Sequence, residues 1–177
     1  MYDVFAIAAY IINNSIDNDN PVTNLKLQKI LFYVQAAFLV KVCEPCFEAE
    51  IQAWKHGPVV PTMYRDFRDY GADKIEDKIY SREEYVLRSF LDTGTNNDIK
   101  GETNIEASIY EGLMQTEAHV MIMNEVIQAA LKYTPWELVD KTHEDLNWPT
   151  FYTGKDNQVI EIEEIKRHYE AHLTQLL

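Results

Sequence analysis

The alternation of apolar and polar positions divides the chain into short helices and two short strands. "DVFAIAAYII", at residues 3–12, is apolar on most faces and predicts a buried helix, ended by the turn formers of "NNSIDNDNP" and by Pro21. "TNLKLQKILFYVQAAFLVKV" carries Leu27, Ile30, Leu31, Val34 and Phe38 at helical spacing behind Thr23 as N-cap; Phe32 and Tyr33 widen the stripe. This is the strongest helix in the chain and the one expected at the centre of the core. From Phe47 the period changes to two. Phe47, Ala49, Ile51 and Ala53 alternate with Glu48, Glu50 and Gln52, the pattern of a short strand with one wet face.

The segment that follows, "IQAWKHGPVVPTMY", is stiff. Gly57 accepts backbone angles that other residues avoid, and Pro58 fixes its own φ. Val60, which precedes Pro61, is held extended, and Pro61 suits the first turn of a helix running to Gly71. The expected order is strand, tight corner, extended ledge, helix start. Further along, Ser81 with Glu84 forms a capping box for a helix stopping near Gly94, and "TNNDIKGETN" is a polar loop. Ile105 to Tyr133 is helical in pattern, broken near Gly112 and restarting at Thr116. Thr134, Pro135 and Glu137 open another helix. "NQVIEI" predicts a second short strand before a last helix with Ile165, Tyr169, Leu173 and Leu176 aligned. Two strands so far apart pair most economically with each other. The expectation is one domain over 1–177, mainly α with a small β-sheet (α+β).

Composition narrows the function. The 177 residues are 46% hydrophobic, enough for a core without metal or disulfide. No apolar run is long enough to cross a bilayer, and Asp3 with no basic region beside it argues against a signal peptide, so a cytoplasmic protein is expected. The net charge is −13 and uneven: residues 1–71 hold 6 Lys/Arg against 8 Asp/Glu, whereas residues 72–177 hold 10 against 21. Without a basic cluster, nucleic acid is not an expected partner. An acidic surface favours basic or amphipathic protein partners, or serves solubility alone.

Catalytic motifs are missing. Cys43 and Cys46 form C-x-x-C, and His168 and His172 lie one helical turn apart, which are zinc-ligand types. The pairs lie at opposite ends of the chain, far beyond the spacing of zinc fingers. "HEDLN" lacks the second histidine of a zinc-protease helix, Asn147 standing in its place. "TGKD" has Pro149 where a phosphate loop needs glycine. No metal, cofactor or enzymatic activity is expected, and a metal-dependent enzyme stands as the last alternative. Two constellations remain: Trp54, Lys55, His56, Gly57 and Pro58, and Thr142, His143, Trp148 and Pro149. Their rings are either corner anchors of the core or the rim of a protein-binding surface.

Three stretches carry a resemblance. "TNLKLQKILFYVQAAFL", "FEAEIQAWKHGPVVPTMYRDFRDYG", and "LVDKTHEDLNWP" followed by "VIEIEEIKRHYE" resemble the Panacea domain, a family that includes SocA-like antitoxins and phage-associated proteins. The resemblance covers residues 1–71 and about 116–172. It leaves 72–115 as a variable insertion and places no requirement on Cys43 or Cys46. What it implies is an antitoxin encoded beside a small toxin and neutralising it by direct protein–protein contact. An alternative within the family is an adaptor delivering the toxin to the ClpXP protease. A role in prophages and anti-phage defence is implied with it. The residues expected near the toxin are Lys29, Trp54, His56, Tyr64, His143 and Trp148, on a corner built by Gly57, Pro58 and Pro61. Glu102, Glu106, Glu111 and Glu117 belong to the acidic remainder that would attract a basic toxin.

Overall fold

A computed structural model of the chain describes residues 1–91, 116–146, 148, 152–155 and 157–171. Expectations placed on Gly94, Glu102, Glu106, Glu111, Gly112, Asn147, Pro149, His172, Leu173 and Leu176 lie outside these. Among the described residues the chain forms seven α-helices and a three-stranded antiparallel sheet.

Helix α1 (Val4–Asp17) begins at Asp3, whose carboxylate accepts from the N–H groups of Phe5 and Ala6 at 2.8 and 3.0 Å. It runs five residues beyond the expected end. The turn formers there stay helical because their polar side chains find partners in the interior. Buried Asn13 exchanges two 2.8 Å hydrogen bonds with the backbone of Ile79, and Ser15 donates to the Ile12 carbonyl at 2.7 Å.

Helix α2 (Asn24–Lys41) starts at Thr23, as its capping side chain predicts. The expected stripe of Leu27, Ile30, Leu31, Val34 and Phe38 is buried, and so are Asn24, Lys26, Gln28, Lys29 and Gln35. A helix buried on every side sits at the centre of its domain, and α2 packs against α1, four later helices and the sheet. Its polar side chains must therefore be satisfied internally.

Strand β1 (Gln52–Trp54) forms a hairpin with β2 (Gly57–Val59), pairing Gln52 with Val59, Ala53 with Pro58 and Trp54 with Gly57. The corner and ledge expected from the sequence are thus the turn and second strand of a hairpin. Gly57, at φ +96°, takes an angle costly for any other residue. The alternation from Phe47 persists in burial: Phe47, Ile51 and Ala53 are inside, Glu48 and Glu50 outside. Regular pairing is confined to residues 52–54, and Phe47 instead makes an isolated bridge to Tyr2. Helix α3 (Pro61–Asp66) passes into a 3₁₀ turn at Arg68–Tyr70 and stops at Gly71.

Helix α4 (Arg82–Leu91) opens at Ser81, which accepts from the Glu84 N–H at 3.0 Å. Ile75 and Ile79, which lead into it, are core residues, so this part of the 72–115 segment is anchored to the domain. Helix α5 (Glu117–Leu131) follows Thr116, and α6 (Pro135–Asp145) has the reciprocal capping box of Thr134 and Glu137. Strand β3 (Gln158–Val159) pairs antiparallel with β1, giving the order β2-β1-β3, and α7 (Ile162–Ala171) closes the described chain. The distant strands pair as expected. Tyr33, Phe32 and Tyr169 meet between α2 and α7, fully buried, and Tyr33 donates to Asp145 at 2.8 Å. Burying each such ring contributes roughly 1.5–3 kcal/mol.

Candidate functional site

The hairpin is held from behind by α2. Lys29, completely buried, donates from Nζ to the Pro58 carbonyl at 2.9 Å. Gln28 accepts from the Val60 N–H at 3.0 Å and donates to Asn24 at 2.9 Å. Asn24 in turn donates to the Tyr64 carbonyl at 3.1 Å. One turn of helix thus grips three successive points of the β2–α3 backbone. A further turn along, Gln35 accepts from the N–H groups of Cys46 and Phe47 and donates to the Phe47 carbonyl, fixing the entry to β1.

The pairing explains why proline stands at 58. Ile160 donates to the Ile51 carbonyl at 2.8 Å, so residues 51 and 53 turn their backbone groups toward β3 and residues 52 and 54 toward β2. Pro58, opposite Ala53, therefore faces away from the sheet. The N–H it lacks would have had no partner in the ladder, and Lys29 satisfies its carbonyl.

Among the described residues no acidic group offsets the burial of Lys29, which lowers its ammonium from the ordinary 10.5 to about 7. Gly57 leaves the room that this needs. A Cβ there would stand 2.7 Å from Lys29 Nζ and 2.8 Å from Thr142 Oγ1. Thr142, buried on α6, donates to the Val139 carbonyl at 2.8 Å.

Two aromatic pairs rim the hairpin. Trp54 meets Tyr64 edge-to-face at 4.9 Å between centroids and donates its indole N–H to Gln52 at 2.8 Å. His56, exposed in the turn, stands perpendicular to Trp136 at 5.2 Å. Trp136 is 58% exposed, more than Trp54 or Tyr64. Behind them His143 stacks flat on buried Trp148, at 5.2 Å and 9°. Burial lowers the His143 pKa, reinforced by Lys29 and His56 and opposed by Asp140; its Nε2 is buried with no hydrogen-bond partner among the described residues. Both favour a neutral imidazole.

The two constellations, more than 80 residues apart in the chain, thus adjoin through Gly57 and Thr142. Of the six residues expected near a partner, Trp54, His56 and Tyr64 stand at the rim. Lys29 and Trp148 are buried and His143 is half-buried, so these three lie behind the rim and not on it. Trp136 is not among the expected site residues, since "TPWE" signals a capped helix start. The signal was a tryptophan at the second helical position, beyond the reach of the helix's apolar face. Asn24 and Gln28 were missed as well, their role depending on backbone brought to them from 30 to 40 residues away.

Cys43 is exposed and Cys46 buried, its thiol pushed well above the ordinary range by burial. Among the described residues, His, Cys, Asp and Glu form no group of three or more able to hold a metal ion, and no helix is long and apolar enough to cross a membrane.

Residues 27–149 match the family model described as antitoxin SocA-like, Panacea domain, and the chain belongs to that family. Among curated proteins it is similar to antitoxin SocA of Caulobacter vibrioides (strain NA1000 / CB15N), 33% identical over 81 residues. That alignment spans 46% of this chain and 43% of the relative, less than half of either. No solved structure matches the chain. Membership in the family supports an antitoxin role in general.

Proposed function

We propose that this chain neutralises a cognate protein toxin in the cytoplasm by direct contact, without catalysis, and that the rim of the α2-braced hairpin is the contact surface. The observation that carries the reading is the contrast within the site. Backbone from Pro58 to Tyr64 is fixed by buried side chains of α2, while Trp54, His56, Tyr64 and Trp136 stand at or near the surface around it. A surface ordered in advance loses little conformational entropy on binding, and Trp and Tyr are the residues that most often dominate binding energy. The net charge of −13 steers basic partners toward the molecule and quickens encounter. On this reading the whole chain is one domain, and the 72–115 segment supplies specificity.

Co-expression with the toxin encoded beside its gene tests the proposal: growth should be restored, and purified toxin should bind stoichiometrically. Trp54→Ala and His56→Ala should weaken both while leaving the circular dichroism spectrum unchanged. A collapsed spectrum assigns these residues to the fold instead. Rescue that disappears in cells lacking ClpXP replaces neutralisation by contact with delivery to that protease.

A further inference from the structure

The sheet has a second edge, and among the described residues it is open. The alternation that turns residues 51 and 53 toward β3 turns Gln158 and Ile160 back toward β1, and directs Val159 N–H and C=O outward. Neither group of Val159 has a hydrogen-bond partner among the described residues, and the residue is 42% exposed. Its cross-strand neighbour on the outer face is Gln52, which holds the indole of Trp54, so this edge runs directly into the aromatic rim.

Carboxylates gather at the end of the ladder where β3 leads into α7. Exposed Glu50 precedes Ile51 and exposed Glu161 follows Ile160, the two residues joined by the last bond of the ladder, so two carboxylates flank its end. Exposed Glu48, Glu163 and Glu164 extend the patch, and none of the five carboxylates is in a salt bridge among the described residues. Carboxylates flanking an open edge deter pairing with acidic strands, including a second copy of this chain, and favour basic ones.

From this geometry we infer that the toxin docks by strand addition. An extended basic segment pairs with the outward groups of Val159, its alternate side chains lying over Glu50 and Glu161 while its neighbours reach Trp54. Main-chain hydrogen bonds provide grip, and the carboxylates select the sequence. The inference rests on the antitoxin reading and deepens it.

The test uses the full chain and the toxin that it rescues. In the complex, hydrogen exchange at the Val159 amide should slow markedly; an unchanged rate overturns the inference. Val159→Pro deletes the outward N–H and leaves the bonds of Gln158 and Ile160 to β1 in place. It should keep the unfolding midpoint and weaken toxin binding about fivefold, the worth of the one hydrogen bond that the N–H would donate. The exchange measurement on unaltered protein decides the matter if that variant unfolds. Glu161→Lys with Glu163→Lys should slow association and flatten its salt dependence; unchanged rates overturn the basic character of the segment. A concentration-dependent dimer that Val159→Pro abolishes overturns the toxin as occupant in favour of a second copy. A chain that binds no toxin removes the antitoxin reading and this inference together, whereas tight binding indifferent to Val159→Pro, with no protection at Val159, removes this inference alone.

Discussion

The two edges of the small sheet face opposite fates. At β2 the outward position holds proline, which has no N–H to offer, and its carbonyl is taken by a lysine from the central helix. At β3 the outward position holds valine, with both backbone groups free among the described residues and a third or more of its surface in water. Three paired strands need only one edge sealed into the core. One outer strand is thus sealed into the core while the other, about 10 Å away across the sheet, keeps an exposed residue at its edge.

Substitutions at the sealed edge should hurt stability and those at the open edge should not. The largest effect is expected at Gly57. Gly57→Ala forces a Cβ onto Lys29 and Thr142 at a backbone angle unsuited to alanine, and should cost about 2–4 kcal/mol in denaturant unfolding. A loss below half of that would mean that the lysine end moves aside readily. Next, Gln28→Ala leaves the Val60 N–H buried without its acceptor and should cost about 1–3 kcal/mol by the same measurement.

Lys29→Met is subtler, because it removes a costly buried amine together with a useful hydrogen bond. Its signature lies in pH. The folded chain releases the Lys29 proton near pH 7 and the unfolded chain near 10.5, so between those values the unfolded state holds more protons. Stability due to this group therefore rises with pH across that window and is flat below it. Urea midpoints measured from pH 7 to 10 should climb in the natural protein and climb less in Lys29→Met. Equal slopes would place the titration elsewhere. At the small end of the scale, Val159→Pro should alter stability by less than about 1 kcal/mol, since the N–H it deletes bonds to nothing within the described chain.

Much of this architecture is legible in the order of residues. Helix α2, the capping boxes, the Gly71 stop and the pairing of strands from opposite halves of the chain all follow from periodicity and end signals, which are local. What escaped was tertiary. Asn13 and Ser15 read as turn formers until the Ile79 backbone arrives to bond one of them. Lys29 has the chemistry of a surface contact, and only the convergence of a proline carbonyl and a glycine on its position makes it a bracket. Trp136 hid inside a correct reading of its own helix start.

The brackets of α2 share one property: Lys29, Gln28 and Asn24 all grasp peptide groups, those of Pro58, Val60 and Tyr64, and none grasps a hairpin side chain. The mount is consequently indifferent to which side chains it carries. Residues such as Lys55, His56, Thr62 and Tyr64 can therefore change their side chains without loosening the bonds that hold the backbone beneath them.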